Sequence, residues 1–175
     1  ETVIMNWARG AGVRGLRGIL PQRERVIHPL LFAERDDITN YARKHQLGYV
    51  VDSSNTKPVY LRNKVRLQLV PVLKKVLGVH CTQGICRSAS YVAEAYEYIR
   101  DSAARAEQDS VISRNTDEII LDIHKFSDYF KAVKKDLLLR MLERFAGCFP
   151  ALGYRELEDL LSFIERGRSG SRLEL

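Results

Sequence analysis

The sequence predicts a mainly α fold with one or two short strands, and three observations carry that prediction. Ile85, Ala89, Val92, Tyr96, Ile99, Ala103 and Ala106 recur at spacings of 4, 3, 4, 3, 4 and 3, the seam of a long helix. Two further apolar stripes follow at helical spacing, Phe130, Val133, Leu137, Met141 and Phe145, then Leu157, Leu160, Leu161 and Ile164. β-rich runs are short, confined to Val26–Leu31 and Glu118–Ile123, and Pro29 interrupts the first.

The elements then follow in order. Residues 1–9 read as a helix with Val3, Ile4, Trp7 and Ala8 apolar, stopped by Gly10 and Gly12. Residues 10–23 read as a loop in which Gly10, Gly12, Gly15 and Gly18 alternate with Arg14, Arg17 and Arg23. Glycines let a backbone approach a ligand closely, and arginines there can hold phosphate; a plain surface loop explains the same composition. Glu34 to Gln46 is a helix with Ile38, Tyr41 and Ala42 inward and Gly48 as its stop. Its first turn carries Glu34, Asp36 and Asp37, which complement the positive end of the helix dipole.

Helix 60–69 comes next, and Pro71 opens a further turn ending near Gly78. Arg62 and Arg66 lie four residues apart on it, hence on one face, and each guanidinium can grip a phosphate or carboxylate through a bidentate fork. Asn63 adds an amide beside them, and Leu61, Val65, Leu69 and Val72 form the neighbouring apolar stripe that anchors the helix. The same residues also describe an ordinary solvated face. Residues 79–84 read as a linker, the seam helix follows, Glu118–Ile123 is a single strand or extended lead-in, and helices at 126–145 and 154–166 complete the chain. The boundary between two domains is drawn near 78.

Charge is divided unevenly across that boundary. Residues 1–77 hold 14 Lys and Arg against 6 Asp and Glu, a net +8, whereas residues 78–175 hold 14 against 16, a net −2. A polyanion-facing surface is therefore expected in the first part, where released counterions would favour RNA binding. Cys81, Cys86 and Cys148 make an odd count with no pairing framework, which favours a reducing cytoplasm. His80, Cys81 and Cys86 offer three zinc ligands without a nearby fourth, so no metal site is expected. No apolar run approaches the ~20 residues of a membrane span. The four histidines lie apart in sequence, and no Ser/His/Asp set or carboxylate pair stands out.

One ordered set of segments narrows the reading. Glu1-Thr-Val-Ile-Met-Asn-Trp-Ala-Arg-Gly-Ala-Gly-Val-Arg-Gly-Leu-Arg-Gly-Ile19 is followed by His28-Pro29-Leu30-Leu31, Asp37-Ile38, Tyr41, Asp52-Ser53-Ser54-Asn55 and Tyr60-Leu61-Arg62-Asn63-Lys64-Val65-Arg66. In that order it resembles the bacterial tRNA(Ile)-lysidine synthases, members of the PP-loop (N-type) ATP pyrophosphatases. The match is dense over 1–73 and weak over 78–150, and it resumes around 152–175. There Gly167-Arg168-Ser169-Gly170-Ser171-Arg172-Leu173-Glu174-Leu175 looks like the family's glycine-rich strand entry.

The resemblance implies an ATP- and Mg2+-dependent ligase that attaches L-lysine to the wobble cytidine of tRNA(Ile) through an adenylated intermediate. Residues 1–77 would be the C-terminal part of the α/β PP-loop domain, and 78–175 a helical central domain that helps grip the tRNA. Glu1 looks like the tail of an acidic motif that binds magnesium and nucleotide. The Ser-Gly-Gly-x-Asp-Ser phosphate loop is absent from the chain, which therefore reads as a middle piece, inactive alone. Arg9 matches the family's Arg-Gly-x-Gly segment and, with Arg62 and Arg66, is assigned to catalysis. Asp37 is assigned to the lysine ammonium, and Asn55 and Asn63, beside Asp52, to substrate binding. His28 stands where the family often has arginine, which puts a phosphate role there in doubt. A homodimer, a non-catalytic helical RNA-binding module and a different PP-loop tRNA-modifying enzyme, such as a thiolase, remain open alternatives.

Overall fold

The computed structural model describes residues 1–23, 25–50, 57–115, 118–146 and 153–167. It is mainly helical, with two short two-stranded antiparallel sheets. The chain divides into two compact units, Glu1–Tyr91 and Val92–Leu175.

In the first unit, α1 (Thr2–Ala8) ends where the N–H groups of Arg9 and Ala11 both return to the Asn6 carbonyl. Gly10 follows at φ +71, the left-handed geometry that lets a helix close without a Cβ clash. The expected glycine-arginine loop contains a single helical turn, α2 (Val13–Leu16), and the first strand of a hairpin, β1 (Gln22–Arg23) with β2 (Val26–Ile27). The strand expected to reach Leu31 stops at Ile27, because His28 closes the hairpin with its own backbone N–H on Pro21 and Pro29 follows.

α3 (Arg35–Lys44) has acids in its first turn and Arg43 and Lys44 in its last, both complementary to the helix dipole. After the turn at 57–60 the chain runs through α4 (Leu61–Lys64), a π-helical segment (Val65–Leu69) and α5 (Val70–Leu77). The break expected at Pro71 is absent. Proline removes one donor from the ladder, and the wider π turn just before it absorbs that loss without ending the helix. Gly78, at φ +93, ends the run.

α6 (Cys81–Ser110) begins four residues before Ile85, so most of the expected linker is helix. Within the second unit its seam turns inward: Tyr96, Ala103 and Ala106 are buried. Ala103 and Ala106 join Phe126, Val133, Leu137, Leu138, Met141, Leu157 and Leu161 in one hydrophobic core. The small alanines let neighbouring elements approach α6 closely. The expected lone strand at 118–123 is β4 (Ile119–Leu121), paired with β3 (Val111–Arg114) through a bulge between Val111 and Ser113. Short polar spacing hid β3, since Val-Ile-Ser-Arg directly continues a helix.

The expected helix from Phe126 is two helices, α7 (Ile123–Ser127) and α8 (Lys131–Ala146). Asp122 caps α7 by accepting from the N–H groups of His124 (3.0 Å) and Lys125 (3.2 Å). Phe130 lies in the break and is 86% exposed, so it leaves the apolar face assigned to it. α9 (Tyr154–Arg166) spans the predicted residues and ends on left-handed Gly167. No helix of the described residues is long and apolar enough to cross a membrane.

Candidate functional site

The first unit brings Glu1, Thr2, Arg62 and Arg66 together. The Arg66 fork meets the Glu1 carboxylate with Nε on Oε1 at 2.6 Å and Nη2 on Oε2 at 3.0 Å. Arg62 donates from Nη2 to Thr2 Oγ at 2.9 Å, and its Nε lies 3.8 Å from Glu1 Oε2. The start of α1 is thus tied to one face of α4 and its π segment. The one-turn spacing places two guanidinium groups over the same carboxylate, while Arg62 stays more than half exposed.

Electrostatics follow from that geometry. Partial burial pushes the Glu1 carboxyl up, but the Arg66 hydrogen bond and charge, helped by Arg62, outweigh it and hold the carboxyl below its usual range. The same hydrogen bond pushes the Arg66 guanidinium up, against the opposing effect of its own burial. Both groups are charged at neutral pH. A pair of arginines that grips one carboxylate so closely is also built to grip a phosphate oxygen, because the donor fork is the same.

Local folding positions each part. Asn63 is buried and donates from Nδ2 to the Lys57 carbonyl at 2.9 Å, fixing the backbone that enters α4. Val65, also buried, anchors the helix, but Leu61, Leu69 and Val72 of the expected anchoring stripe are exposed. Asn6 donates from Nδ2 to the Gly15 carbonyl at 2.7 Å and so staples α1 to the arginine-bearing α2 turn. Gly15 is required there, since a Cβ would sit 2.7 Å from the Ala11 Cβ. Arg17 Nε in turn donates to the Arg14 carbonyl at 3.0 Å.

The remaining predicted residues lie apart from this cluster. Arg9 is exposed just past the far end of α1, about 12 Å along the helix from Glu1 at 1.5 Å per residue. Asp37 sits in the first turn of α3, where its Oδ2 accepts from the Glu34 N–H at 3.1 Å. Asn55 and Asp52 lie outside the described residues, as does the glycine-rich segment after Gly167. His28 has a local job: its Nδ1 donates to the Leu20 carbonyl at 3.0 Å, the only polarity a carbonyl partner allows. Thr2 and Asn6 are the contributors that residue-by-residue reading missed. Their roles are side-chain bonds to residues 60 and 9 positions away, which no local periodicity encodes.

Among the described residues no three His, Cys, Asp or Glu side chains converge as metal ligands. The cluster offers a magnesium ion one carboxylate, Glu1, already engaged by Arg66.

Comparison with known proteins bears on the whole chain. Residues 1–73 match a family profile described as a PP-loop domain. The whole chain is 31% identical to the tRNA(Ile)-lysidine synthase of Caldanaerobacter subterraneus subsp. tengcongensis, over 37% of that protein. It is 27% identical to the Clostridioides difficile enzyme of the same name, again along the whole chain and over 38% of the relative. Against the Thermotoga maritima counterpart, 82% of the chain aligns at 34% identity with 31% of that protein. The chain therefore spans just over a third of the length of the curated relatives it matches end to end. On these matches residues 1–73 carry the PP-loop match, and the whole chain is similar to a stretch of the tRNA(Ile)-lysidine synthases.

Proposed function

We propose that the chain forms part of an ATP-dependent ligase that joins L-lysine to the wobble cytidine of tRNA(Ile). The observation that carries this reading is the convergence of Arg62 and Arg66 on Glu1, within the segment that matches the PP-loop profile. ATP, as substrate, supplies the adenylyl group that activates the cytidine before the lysine amine displaces AMP. Arg62 and Arg66 hold phosphate oxygens and balance the charge that builds on them. Glu1 orients Arg66 through its two-point contact.

Arg9, at the other end of α1, meets phosphate on the tRNA or nucleotide side. Asp37 and Asn55 take the lysine ammonium and the tRNA. Asn63 acts through position, since its amide is spent on the Lys57 carbonyl that shapes the approach to α4. Residues 1–77 correspond to the end of the PP-loop domain and 78–175 to the helical domain. The profile match ending at 73 and the left-handed break at Gly78 support that division. One observation favours the non-catalytic RNA-binding alternative: Asp37 is engaged in its own helix start, where it and Glu34 cap one another.

The test is lysine incorporation into tRNA(Ile) by the complete reading frame that carries this chain, in the presence of ATP. Replacing Arg62 or Arg66 by Ala is expected to reduce the rate about 10- to 100-fold, the loss of a charge-assisted contact worth about 1.5–3 kcal/mol. Arg→Lys recovers only part of it, because the planar fork is gone. Full activity in both Ala variants sinks the assignment, as does a loss of activity that merely tracks thermal stability.

A further inference from the structure

Away from that cluster, the second unit holds three arginines around a single buried carboxylate. Glu107 on α6 is 8% exposed, and its Oε1 accepts from Arg114 Nη1 of β3 at 3.0 Å and from Arg144 Nη1 of α8. Arg140 Nε, one turn before Arg144, lies 3.9 Å from Oε2. Burying Glu107 requires compensation, but one well-placed guanidinium balances one carboxylate. Three exceed the need. Even counting Glu143, next to Arg144 in the chain, the group keeps surplus positive charge.

Among the described residues the surplus is not consumed elsewhere. Arg140 uses Nη1 on the Arg100 carbonyl at 3.2 Å, and Arg100 itself is matched by Glu97 and Asp101. Arg114 and Arg144 have no second carboxylate within 4 Å among the described residues, and their side chains are about half exposed. One nitrogen of each is held by Glu107, which orients the fork while about half of each side chain stays exposed. Such preorientation removes much of the rotamer entropy that a flexible surface arginine loses on binding. The setting sharpens the point, since residues 92–175 carry 13 Lys and Arg against 16 Asp and Glu. A polyanion gains little from the overall field of this unit and needs a local cationic site.

We propose that Arg114 and Arg144, oriented by Glu107, form a phosphate-binding site for the RNA backbone on the helical unit. This rests on the reading that the partner is an RNA, and it assigns a contact separate from Arg62 and Arg66. Because phosphates carry no sequence, the site strengthens binding to any tRNA and leaves the choice of tRNA(Ile) to other residues.

The experiment is tRNA binding by the complete protein carrying this chain, followed by anisotropy from about 50 to 300 mM KCl, with Arg114→Gln and Arg144→Gln combined. Glutamine still donates to Glu107, and Arg140 keeps the carboxylate compensated, so the melting temperature checks that the unit stays folded. Expected is a loss of about 10-fold or more in affinity at low salt, equal for tRNA(Ile) and for an unrelated tRNA. The slope of log K against log salt should shrink by about 1.5–2, near one per lost phosphate contact. An unchanged slope overturns the site, whether or not stability falls, and leaves the arginines as compensation for Glu107. The readout is independent of catalysis. A reduced slope in a protein that makes no lysidine keeps this site and sinks the ligase reading, whereas lysidine formation with an unchanged slope does the reverse.

Discussion

The two units use similar amounts of apolar sequence to very different effect. In Val92–Leu175, nine buried residues from four helices form one core, and Phe126 and Leu137 are fully enclosed. In Glu1–Tyr91, the buried residues among those described are Asn63, Val65 and Ala89. Trp7, Phe32, Val50 and Val76 there are each at least 73% exposed. The contrast shows that a periodic apolar stripe marks a helix but does not guarantee that anything covers it. In the second unit Ala103 and Ala106 share one core with α8 and α9 side chains; in the first, Leu61, Leu69 and Val72 are exposed.

The largest expected effect follows from the enclosed core. Phe126→Ala should cost the second unit about 3–5 kcal/mol, the range for emptying a fully buried aromatic site. Val65→Ala, removing two carbons from a lone buried side chain, should cost about 1–2 kcal/mol. Chemical denaturation with far-UV circular dichroism measures both. Hydrogen exchange sharpens the same contrast: amides of α6 beyond Val92 and of α8 should exchange far more slowly than those of α1 to α3. Uniform protection along the chain would break the comparison, and would mean that the first unit is held by contacts other than apolar burial.

A smaller effect concerns the polar contact inside the second unit. Tyr96 donates to Asp136 Oδ1 at 2.6 Å, both side chains are buried, and Asp136 Oδ2 has no hydrogen-bond partner among the described residues. Tyr96→Phe leaves the enclosed carboxyl without that donor and should cost about 1–3 kcal/mol. In the first unit, Gly15→Ala should shift the α1–α2 corner, because the new Cβ meets Ala11, and Asn6 loses its carbonyl partner. That change is read as lowered lysine incorporation with little change in the melting of the second unit. Equal destabilisation of both units by either substitution would show that they do not melt separately.

What was legible in the sequence divides along the same line. The seam of α6, the limits of α9 and the Arg62–Arg66 pairing are local periodicities, and the chain folds as they dictate. Three features escaped because tertiary partners decide them. β3 exists through pairing with β4, the Pro71 break is absorbed by a π turn upstream, and Phe130 is displaced by the stop between α7 and α8. In the site, Arg62, Arg66 and Glu1 were named from segment order and do converge, whereas Thr2 was invisible until α1 met α4. The three arginines on Glu107 come from β3 and α8 and share no sequence pattern.

The smallest effect is a pH dependence confined to the second unit. Glu158 on α9 lies between Lys131 (2.7 Å) and Lys135 of α8, and also hydrogen bonds to Tyr154. The Lys131 contact, then those of Lys135 and Tyr154, hold the Glu158 carboxyl down to about 2. A carboxyl whose folded pKa is depressed contributes stability that is fully present above its unfolded value and fades as pH falls through the folded one. The ordinary value is 4.5, so the α8–α9 clip weakens between about pH 4.5 and pH 2 and is insensitive to pH near neutrality. Exposure to solvent keeps the contribution small and screened by salt. Glu158→Gln should therefore leave the melting temperature of the second unit nearly unchanged at pH 3 relative to its own value at pH 7, apart from the acid response of the other carboxylates. Wild type should lose more over that interval. The first unit should show no difference between the two proteins at either pH, and an acid response in wild type that matches the variant would remove Glu158 from the account of how α9 is held.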